Sequence, residues 1–175
     1  MSSANVDLVR SSFEAFGRGD FEEAFAHYDQ AVEWCTATDE PDQNTYIGMP
    51  ALRRFVAYIA DPWSDRFGPS VVWDDFIDCG DWVVAPWSAT LHGHGSGIEI
   101  EVFETYAVLV RDGRIARVDE YRTVEQALGR LERETAPAGD RGRFRGRSDA
   151  YVCLWEEVSG GARAVAGHRG GEQSR

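Results

Sequence analysis

Hydrophobic positions in the N-terminal third of the chain recur at helical spacing, and this pattern predicts three helices. The first helix spans residues 5–17 and ends at a glycine. The second begins after Asp20, an acidic residue suited to capping it. A short strand at residues 31–38 follows, and Pro50 then lies in the first turn of the third helix. The predicted buried faces of the three helices are Val6, Val9, Phe13 and Phe16; Phe21, Ala24, Phe25 and Tyr28; and Leu52, Phe55, Val56 and Ile59.

From Val71 onwards the pattern changes to the alternation of apolar and polar residues that is typical of strands. Asp112-Gly113 lies between two apolar runs, which is a strong signal for a β-hairpin. A helical turn at residues 125–131 closes this part of the chain. Helices followed by an antiparallel meander predict an α+β fold. The predicted strands are residues 71–77, 82–91, 98–110 and 115–123.

One carboxylate interrupts the apolar face of the strand at residues 98–110. Alternate residues of a strand share a face. The more apolar face is predicted to point inward and includes Glu104 beside Tyr106. A carboxylate in such a position is costly to ionise unless a partner stabilises it, so Glu104 is the first candidate for chemistry. The inward set is Ile100, Val102, Glu104, Tyr106, Val108 and Val110, and the outward set is Glu99, Glu101, Phe103, Thr105, Ala107 and Leu109.

The length of the hairpin loop decides which residue lies across from Glu104. A two-residue loop, Asp112-Gly113, pairs Arg111 with Arg114 and places Tyr121 opposite Glu104. A shift of one residue exchanges the two faces of a strand, so the loop also decides which side chains point inward.

A three-residue loop at residues 111–113, with a bulge at its last residue, gives a different set of neighbours. Glu120 then faces Glu104, and Arg122 faces Val102. The residues of the loop allow both alternatives.

Charge limits the classes of partner. The chain has 175 residues and a formal charge of −12, and all 18 of its basic residues are arginine. Residues 1–132 hold 10 arginines against 24 acidic residues, a net charge of −14, whereas residues 133–175 hold 8 against 6, a net charge of +2. So acidic a body disfavours binding to nucleic acid or to an anionic membrane. Without an apolar signal core or a run of membrane-spanning length, the chain is expected to be cytoplasmic.

Composition also divides the chain into a folded part and a tail. Residues 1–132 are predicted to form one domain, and residues 133–175 a Gly- and Arg-rich tail that is predicted to be disordered. The tail contains an apolar island at residues 151–158. This island can be an edge strand, a short helix, a partner-binding segment or a segment without a role. The cysteines are odd in number and widely spaced, so they predict reduced thiols rather than disulfides; they are Cys35, Cys79 and Cys153.

Four segments of the chain resemble the SnoaL-like family of the nuclear transport factor 2-like superfamily, which includes ketosteroid isomerase. They are FGRGDFEEAFAHYDQAVEW, YIGMPALRRFVAYI, DCGDWVVAPWSATLHGHGSGIEIEV and LVRDGRIARVDEYRT, and the resemblance covers about residues 5–131. It implies a cone-shaped α+β barrel in which three N-terminal helices pack in a curved, mostly antiparallel sheet. The fold hosts many chemistries, so the resemblance specifies fold more than function.

The resemblance allows three positions to be compared with ketosteroid isomerase. The catalytic base of that enzyme corresponds to the neighbourhood of Trp34, its oxyanion-hole aspartate to Tyr106, and its first-helix tyrosine to Phe13. The chain departs from the enzyme at all three positions, which argues against steroid isomerisation by the same mechanism. The Asp-Arg-Asp set of limonene epoxide hydrolase and the histidines of scytalone dehydratase are not found either.

The resemblance implies that Tyr106 lies in the pocket and favours the three-residue loop, which adds Glu120 and Arg122 to the same site. Two carboxylates in one apolar site cannot both ionise cheaply, so Glu104 and Glu120 are predicted to act as an acid–base pair. Tyr106 is predicted to donate a hydrogen bond to a developing enolate, and Arg122 to bind a carboxylate or an anionic oxygen of the substrate. An internal Glu–Arg or Glu–Tyr pair that only satisfies itself is the competing interpretation.

Aromatic residues predict flat, apolar walls that suit an aromatic or polycyclic ligand. The expected substrate is a small aromatic or polyketide-like molecule, and no cofactor is expected. The reaction is expected to be an isomerisation, cyclisation or dehydration, with hydrolysis of an epoxide or ester as an alternative. The predicted walls of the site are Trp34, Tyr46, Phe55, Tyr58, Trp73 and Trp87.

Two further interpretations remain open. His92 and His94, with Glu99 or Glu101, are a weak metal-site pattern, and solvated histidines are the favoured explanation. A non-catalytic module that binds a small molecule or forms a homodimer is the second functional class. In that case the outward residues of the long strand would form the dimer patch; they are Phe103, Ala107 and Leu109.

Overall fold

The computed structural model describes residues 3–37, 44–62 and 70–135. Within them, four helices and seven strands give an α+β fold, as the sequence predicts. The predictions for residues 136–175, including the apolar island, lie outside the described residues. None of the described helices is long and apolar enough to cross a membrane. The elements are α1 (Ala4–Gly17), α2 (Phe21–Ala26), β1 (Tyr28–Cys35), β2 (Thr45–Ile47), α3 (Met49–Ala60), β3 (Val72–Trp73), β4 (Ile77–Cys79), β5 (Trp82–His92), β6 (Glu99–Arg111), β7 (Arg114–Tyr121) and α4 (Val124–Thr135).

A capping side chain precedes each of the first two helices, and the sequence predicts the second of these caps. The Ser3 side chain accepts a hydrogen bond from a backbone N–H of α1, and Asp20 accepts one from the backbone N–H of Glu23 at 3.0 Å. Pro50 lies in the first turn of α3, as expected. Several boundaries differ from the prediction: β1 begins at Tyr28 and ends at Cys35, and α4 extends beyond the predicted single turn to Thr135. The short strand β2 is not predicted by the sequence pattern.

The predicted strand at residues 71–77 is two short strands, β3 and β4, which both pair with β5. Pro86 of β5 lies opposite the interruption and has no N–H to donate to a neighbouring strand. Its carbonyl accepts a hydrogen bond from the backbone N–H of Asp74 at 3.0 Å. The ladder is therefore broken at this proline.

The seven strands form one mixed sheet in the order β2-β1-β7-β6-β5-β3, with β4 also on β5, and this sheet does not close into a barrel. Neighbouring strands are antiparallel except for β1 and β7, which are parallel. The longest ladder joins β5 to β6 and runs from Trp82–Leu109 to His92–Glu99. This ladder, extended by β7, is the platform on which the candidate site lies.

The hairpin between β6 and β7 has the two-residue loop, so the three-residue loop favoured by the family resemblance is wrong. Asp112 and Gly113 both have positive φ, 50° and 69°, and Arg111 pairs with Arg114. A bulge at Ala116 then shifts the register, because Val110 pairs with Ile115 but Leu109 pairs with Arg117.

The bulge restores the inward orientation of the residues that the two-residue loop would have turned outward. It allows Ile115 and Val118, three positions apart, both to be fully buried in the same core. Tyr106 consequently pairs with Glu120, and the same register puts Arg122 across from Glu104. Neither of the two residues predicted to lie opposite Glu104 does so. The observed residue is one position after Tyr121 and two positions after Glu120.

The sheet buries both of its faces. Helices α1, α2 and α3 contribute to a large core with the inner face, whereas α4 covers part of the outer face. The prediction that Ala107 and Leu109 form an exposed dimer patch is wrong, because both residues pack against Ala127 and Leu131 of α4. Phe103, the third residue of the predicted patch, is 58% exposed.

Candidate functional site

A small apolar cavity lies between the helices and the inner face of the sheet. About 20 Å³ of it is open to the centre of a water-sized sphere, which is room for about one water molecule. Its lining comes from α1, α3, β1, β3, β5, β6 and the residue before β3. The lining residues are Phe13, Phe16, Trp34, Val56, Ile59, Val71, Trp73, Trp87 and Tyr106.

The Tyr106 ring is the centre of the aromatic part of this lining. Its centroid is 5.4 Å from that of Trp34 and 5.8 Å from those of Phe13 and Trp87. Phe13 in turn stacks on Trp73, with ring centroids 4.7 Å apart. Rings at these separations pack favourably edge-to-face or offset, so the cavity is bounded by a connected group of aromatic side chains.

Two carboxylates lie beside the Tyr106 ring, and each accepts a hydrogen bond from an aromatic side chain of the cavity wall. Glu120 accepts a hydrogen bond from Trp34 Nε1 at 2.6 Å. Glu104 Oε2 accepts one from the Tyr106 hydroxyl at 3.4 Å. Both glutamates are 8% exposed, so these bonds operate with little competition from water.

Arg122 supplies positive charge at the same place. Its Nη1 lies 3.6 Å from Glu104 Oε1, whereas the hydroxyl of Tyr106 approaches the other oxygen of that carboxylate. The bulge at Ala116 brings these groups together, because it sets Glu120 and Arg122 on the inner face with Glu104 and Tyr106. The structure therefore assembles the four polar residues that the sequence predicts, but by a different register.

Trp87 contributes a polar atom of another kind. Its side chain lines the cavity, yet its Nε1 is buried and has no hydrogen-bond partner among the described residues. An unsatisfied buried donor costs about 1–3 kcal/mol. Trp87 pairs with Glu104 across the β5–β6 ladder, so the two side chains are neighbours on the inner face.

Three of the predicted wall residues do not line the cavity. Tyr46 and Phe55 stack on each other with ring centroids 4.2 Å apart. Phe55 also contacts the lining residue Trp34, with ring centroids 6.0 Å apart. Tyr58 is 68% exposed, so its prediction as a wall of a buried site is wrong. Successive helical residues turn by about 100°, which places Tyr58 to one side of the buried stripe that contains Ile59.

Five lining residues were not predicted as part of a site. The stripes of α1 and α3 that contain four of them have the same spacing as any buried helix face, so the pattern predicts core and does not reveal a cavity. Val71 precedes β3 and carries no polar signal. The five residues are Phe13, Phe16, Val56, Ile59 and Val71.

A second group of charges lies on the outer face of β1 and β7. Arg117 Nε donates to Asp119 Oδ1 at 2.8 Å, and Arg117 Nη1 lies 3.5 Å from Glu33 Oε2. Hydrogen bonding to Asp119 raises the pKa of Arg117. Burial is the main cause that raises the pKa of the neighbouring Cys35 thiol, so less of this thiol is in the reactive thiolate form than in an exposed cysteine at the same pH.

The histidines of the β5–β6 connection lie apart from the cavity lining. His92 Nε2 and Glu99 Oε2 are 3.1 Å apart on an exposed part of the hairpin. Nowhere in the described ranges do three histidine, cysteine or acidic side chains gather in a group that could hold a metal ion.

Comparison with known protein families identifies the domain that the chain contains. The family described as the SnoaL-like domain matches residues 9–118, more than half of the chain. That range begins within α1, contains α2 to β6 and most of β7, and includes Glu104, Tyr106 and every residue of the cavity lining. No curated protein sequence matches the chain significantly.

Solved structures match the same fold at low sequence identity. An NTF2-like protein of unknown function from Burkholderia pseudomallei K96243 has a TM-score of 0.60 and 19% identity, over 77% of this chain and 100% of its own. TerC, co-crystallised with polyporic acid, has a TM-score of 0.59 and 20% identity, over 74% and 98%. A candidate polyketide cyclase from Xanthomonas campestris pv. campestris has a TM-score of 0.55 and 22% identity, over 73% and 96%. The chain belongs to the SnoaL-like family.

Proposed function

We propose that the protein is a cofactor-independent acid–base enzyme of the isomerase, cyclase or dehydratase type, acting on an apolar aromatic or polyketide-like substrate. One observation carries this proposal: two buried carboxylates are each hydrogen-bonded to an aromatic side chain of the cavity wall, Glu104 to Tyr106 and Glu120 to Trp34. The structural likeness to a candidate polyketide cyclase and to TerC, which was crystallised with polyporic acid, supports the substrate class.

The proposed reaction begins with removal of a proton next to a carbonyl group. Glu104 accepts this proton, and the electron pair of the broken C–H bond forms an enolate. Tyr106 stabilises the negative charge on the enolate oxygen, and Arg122 stabilises Glu104 before it accepts the proton. Glu120, in its protonated form, then donates a proton, and the acceptor depends on the reaction. In an isomerisation the proton goes to a second carbon. In a cyclisation the enolate carbon bonds to a second carbonyl carbon, whose oxygen takes the proton; in a dehydration the C–O bond breaks as its oxygen takes the proton and leaves as water.

Substrate binding requires the lining side chains to move. A cavity that holds about one water molecule is too small for a ring compound. Trp73 is the lining residue best placed to move, because it is half-buried and lies on the two-residue edge strand β3. Its displacement would open the space between Phe13 and Trp87, with which it is now in ring contact.

The test is turnover of a panel of aromatic and polyketide-like ketones, followed by mass spectrometry of products and of protein-bound compounds. The E104Q variant keeps the size of the side chain and removes its basicity, so turnover is expected to fall about 10²–10⁴-fold. E101Q is the matched control, because Glu101 is an exposed carboxylate on the same strand. Equal loss in both variants, or no loss in E104Q, would contradict the proposal.

The small volume of the cavity also favours a second candidate, a non-catalytic homodimer whose cavity is filled by its own side chains. The apolar residues Val72 and Phe103 are exposed on the outer face of the sheet, on either side of Ser88. They would contribute to the interface of this homodimer. Sedimentation of wild-type protein and of F103S over a range of concentrations tests this candidate. A wild-type dimer that dissociates on F103S substitution supports it, and a wild-type monomer at high micromolar concentration rejects it.

A further inference from the structure

The two tryptophans nearest to the carboxylates differ in how their indole N–H groups are used. Trp34 and Trp87 are equally buried, and both rings contact the Tyr106 ring. Trp34 Nε1 donates to Glu120, whereas Trp87 Nε1 has no partner among the described residues and less than 1 Å² of accessible surface. An indole N–H donates and cannot accept, so it needs an acceptor atom beside it. Such an atom can come from a bound molecule once the lining side chains have moved to admit it, as substrate binding requires.

The position of Trp87 indicates where this acceptor would lie. Its side chain forms part of the cavity wall, and its backbone is directly opposite that of Glu104 in the β5–β6 ladder. Residues opposite each other in a ladder have neighbouring side chains on one face. An oxygen atom bound by the indole N–H would therefore lie beside the carboxylate that we propose as the base.

We infer that Trp87 Nε1 donates a hydrogen bond to a carbonyl oxygen of the substrate. The inference deepens the proposed function and rests on it: the substrate class narrows to apolar ring ketones that carry an exchangeable C–H group on the carbon next to the carbonyl. The same bond strengthens when the carbonyl becomes an enolate, because negative charge then develops on the acceptor oxygen. Tyr106 and Trp87 would act on this oxygen from two sides.

The experiment compares two ligands of the same shape. 1-Tetralone carries a carbonyl group that accepts hydrogen bonds, and tetralin carries a methylene group in its place. The chain contains six tryptophans, so ¹⁵N-labelled protein gives six indole signals, and the signal lost in W87F or W87Y identifies Trp87. Titration of wild-type protein and W87F with each ligand gives four affinities, and circular dichroism checks the fold of each variant.

Two results are expected if the inference is right. 1-Tetralone shifts the Trp87 indole proton downfield on binding, and tetralin does not. The ratio of 1-tetralone affinity to tetralin affinity falls roughly fivefold in W87F, which is the order expected for loss of one neutral hydrogen bond. W87F also removes packing contacts, and this loss weakens the binding of both ligands. It therefore cancels in the ratio of the two affinities.

Three other results would overturn the inference, and they separate it from the proposed function. If 1-tetralone binds without shifting the Trp87 signal, or if W87F weakens both ligands equally, the cavity binds ligands but Trp87 is not the donor. The proposed function then survives. If neither ligand binds wild-type protein, the inference is rejected together with the proposed binding of ring ketones.

Discussion

Asp119 and Glu120 are adjacent on β7 and almost equally buried, at 6% and 8% exposed, yet they lie on opposite faces of the sheet. Asp119 is bonded to the guanidinium of Arg117 on the outer face. Glu120 accepts a hydrogen bond from the indole of Trp34 on the inner face, beside the cavity. Burial and charge alone therefore do not distinguish a functional carboxylate from a structural one.

The surroundings of the two carboxylates differ more than their burial does. The outer face combines an ion pair with aliphatic packing, in which Leu109 and Ala107 meet helix α4. The inner face combines its carboxylates with aromatic rings around an unfilled space and an indole donor that has no acceptor in the part of the chain that the structure describes. An aromatic cavity wall in contact with hydrogen-bonded carboxylates is what separates a candidate site from a structural network.

The largest difference is expected between the two carboxylates themselves. E120Q should lower turnover of an identified substrate about 10²–10⁴-fold, because it removes a proposed proton donor. D119N should leave turnover unchanged, because Asp119 faces away from the cavity. Steady-state kinetics of the two variants makes the comparison, and a similar decrease in both would show that the faces are not functionally distinct.

Truncation of the outer face should change stability and leave function intact. L109A removes a buried side chain that packs under α4, so the free energy of unfolding is expected to fall by about 2–5 kcal/mol. F103A, an exposed residue of the same face, should change it by less than about 0.5 kcal/mol. Urea unfolding measures both values. An L109A variant as stable as F103A would show that α4 does not cover this face in solution.

Loss of the Trp34 indole should have a smaller effect on stability. W34F removes the donor to Glu120 and leaves an aromatic ring in place, so the expected loss is about 1–3 kcal/mol. Urea unfolding of W34F, E120Q and the double variant tests the coupling between the two residues. Additive effects would show that the hydrogen bond does not contribute.

The smallest effect concerns the outer thiol. Burial is the main effect that raises the pKa of the Cys35 thiol. Its thiolate therefore forms at a higher pH in the folded protein than in the unfolded chain. Alkylation by iodoacetamide, followed for the Cys35 peptide by mass spectrometry, should therefore increase at a higher pH in native protein than in urea. Coincident pH profiles would contradict this environment for Cys35.

The sequence is sufficient to predict the helices, the α+β class and the inward position of Glu104 and Tyr106, because these depend on periodicity within single elements. The register between β6 and β7 depends on the bulge at Ala116, which follows from packing of the whole core. Its local signal is that Ile115 and Val118 are three positions apart and both apolar, a spacing that simple alternation does not allow.

The cavity is harder to predict for a related reason. Its helical lining residues have the spacing of ordinary core residues, and a void forms only where side chains from separate elements fail to meet. The same applies to Trp87, because the lack of an acceptor for its N–H within residues 3–37, 44–62 and 70–135 follows from the three-dimensional positions of all its neighbours. Tyr58 is aromatic but lies outside the buried stripe of α3, so residue type alone predicts its position wrongly.

Proton transfer at the inner carboxylates is the central claim, and it can be measured without the natural substrate. In D₂O, the wild-type protein should accelerate deuterium incorporation at the carbon next to the carbonyl of 1-tetralone, as followed by NMR. E104Q should reduce this exchange to the rate in buffer, and E101Q should not. Exchange at the buffer rate with wild-type protein, or equal exchange with E104Q, would contradict the account.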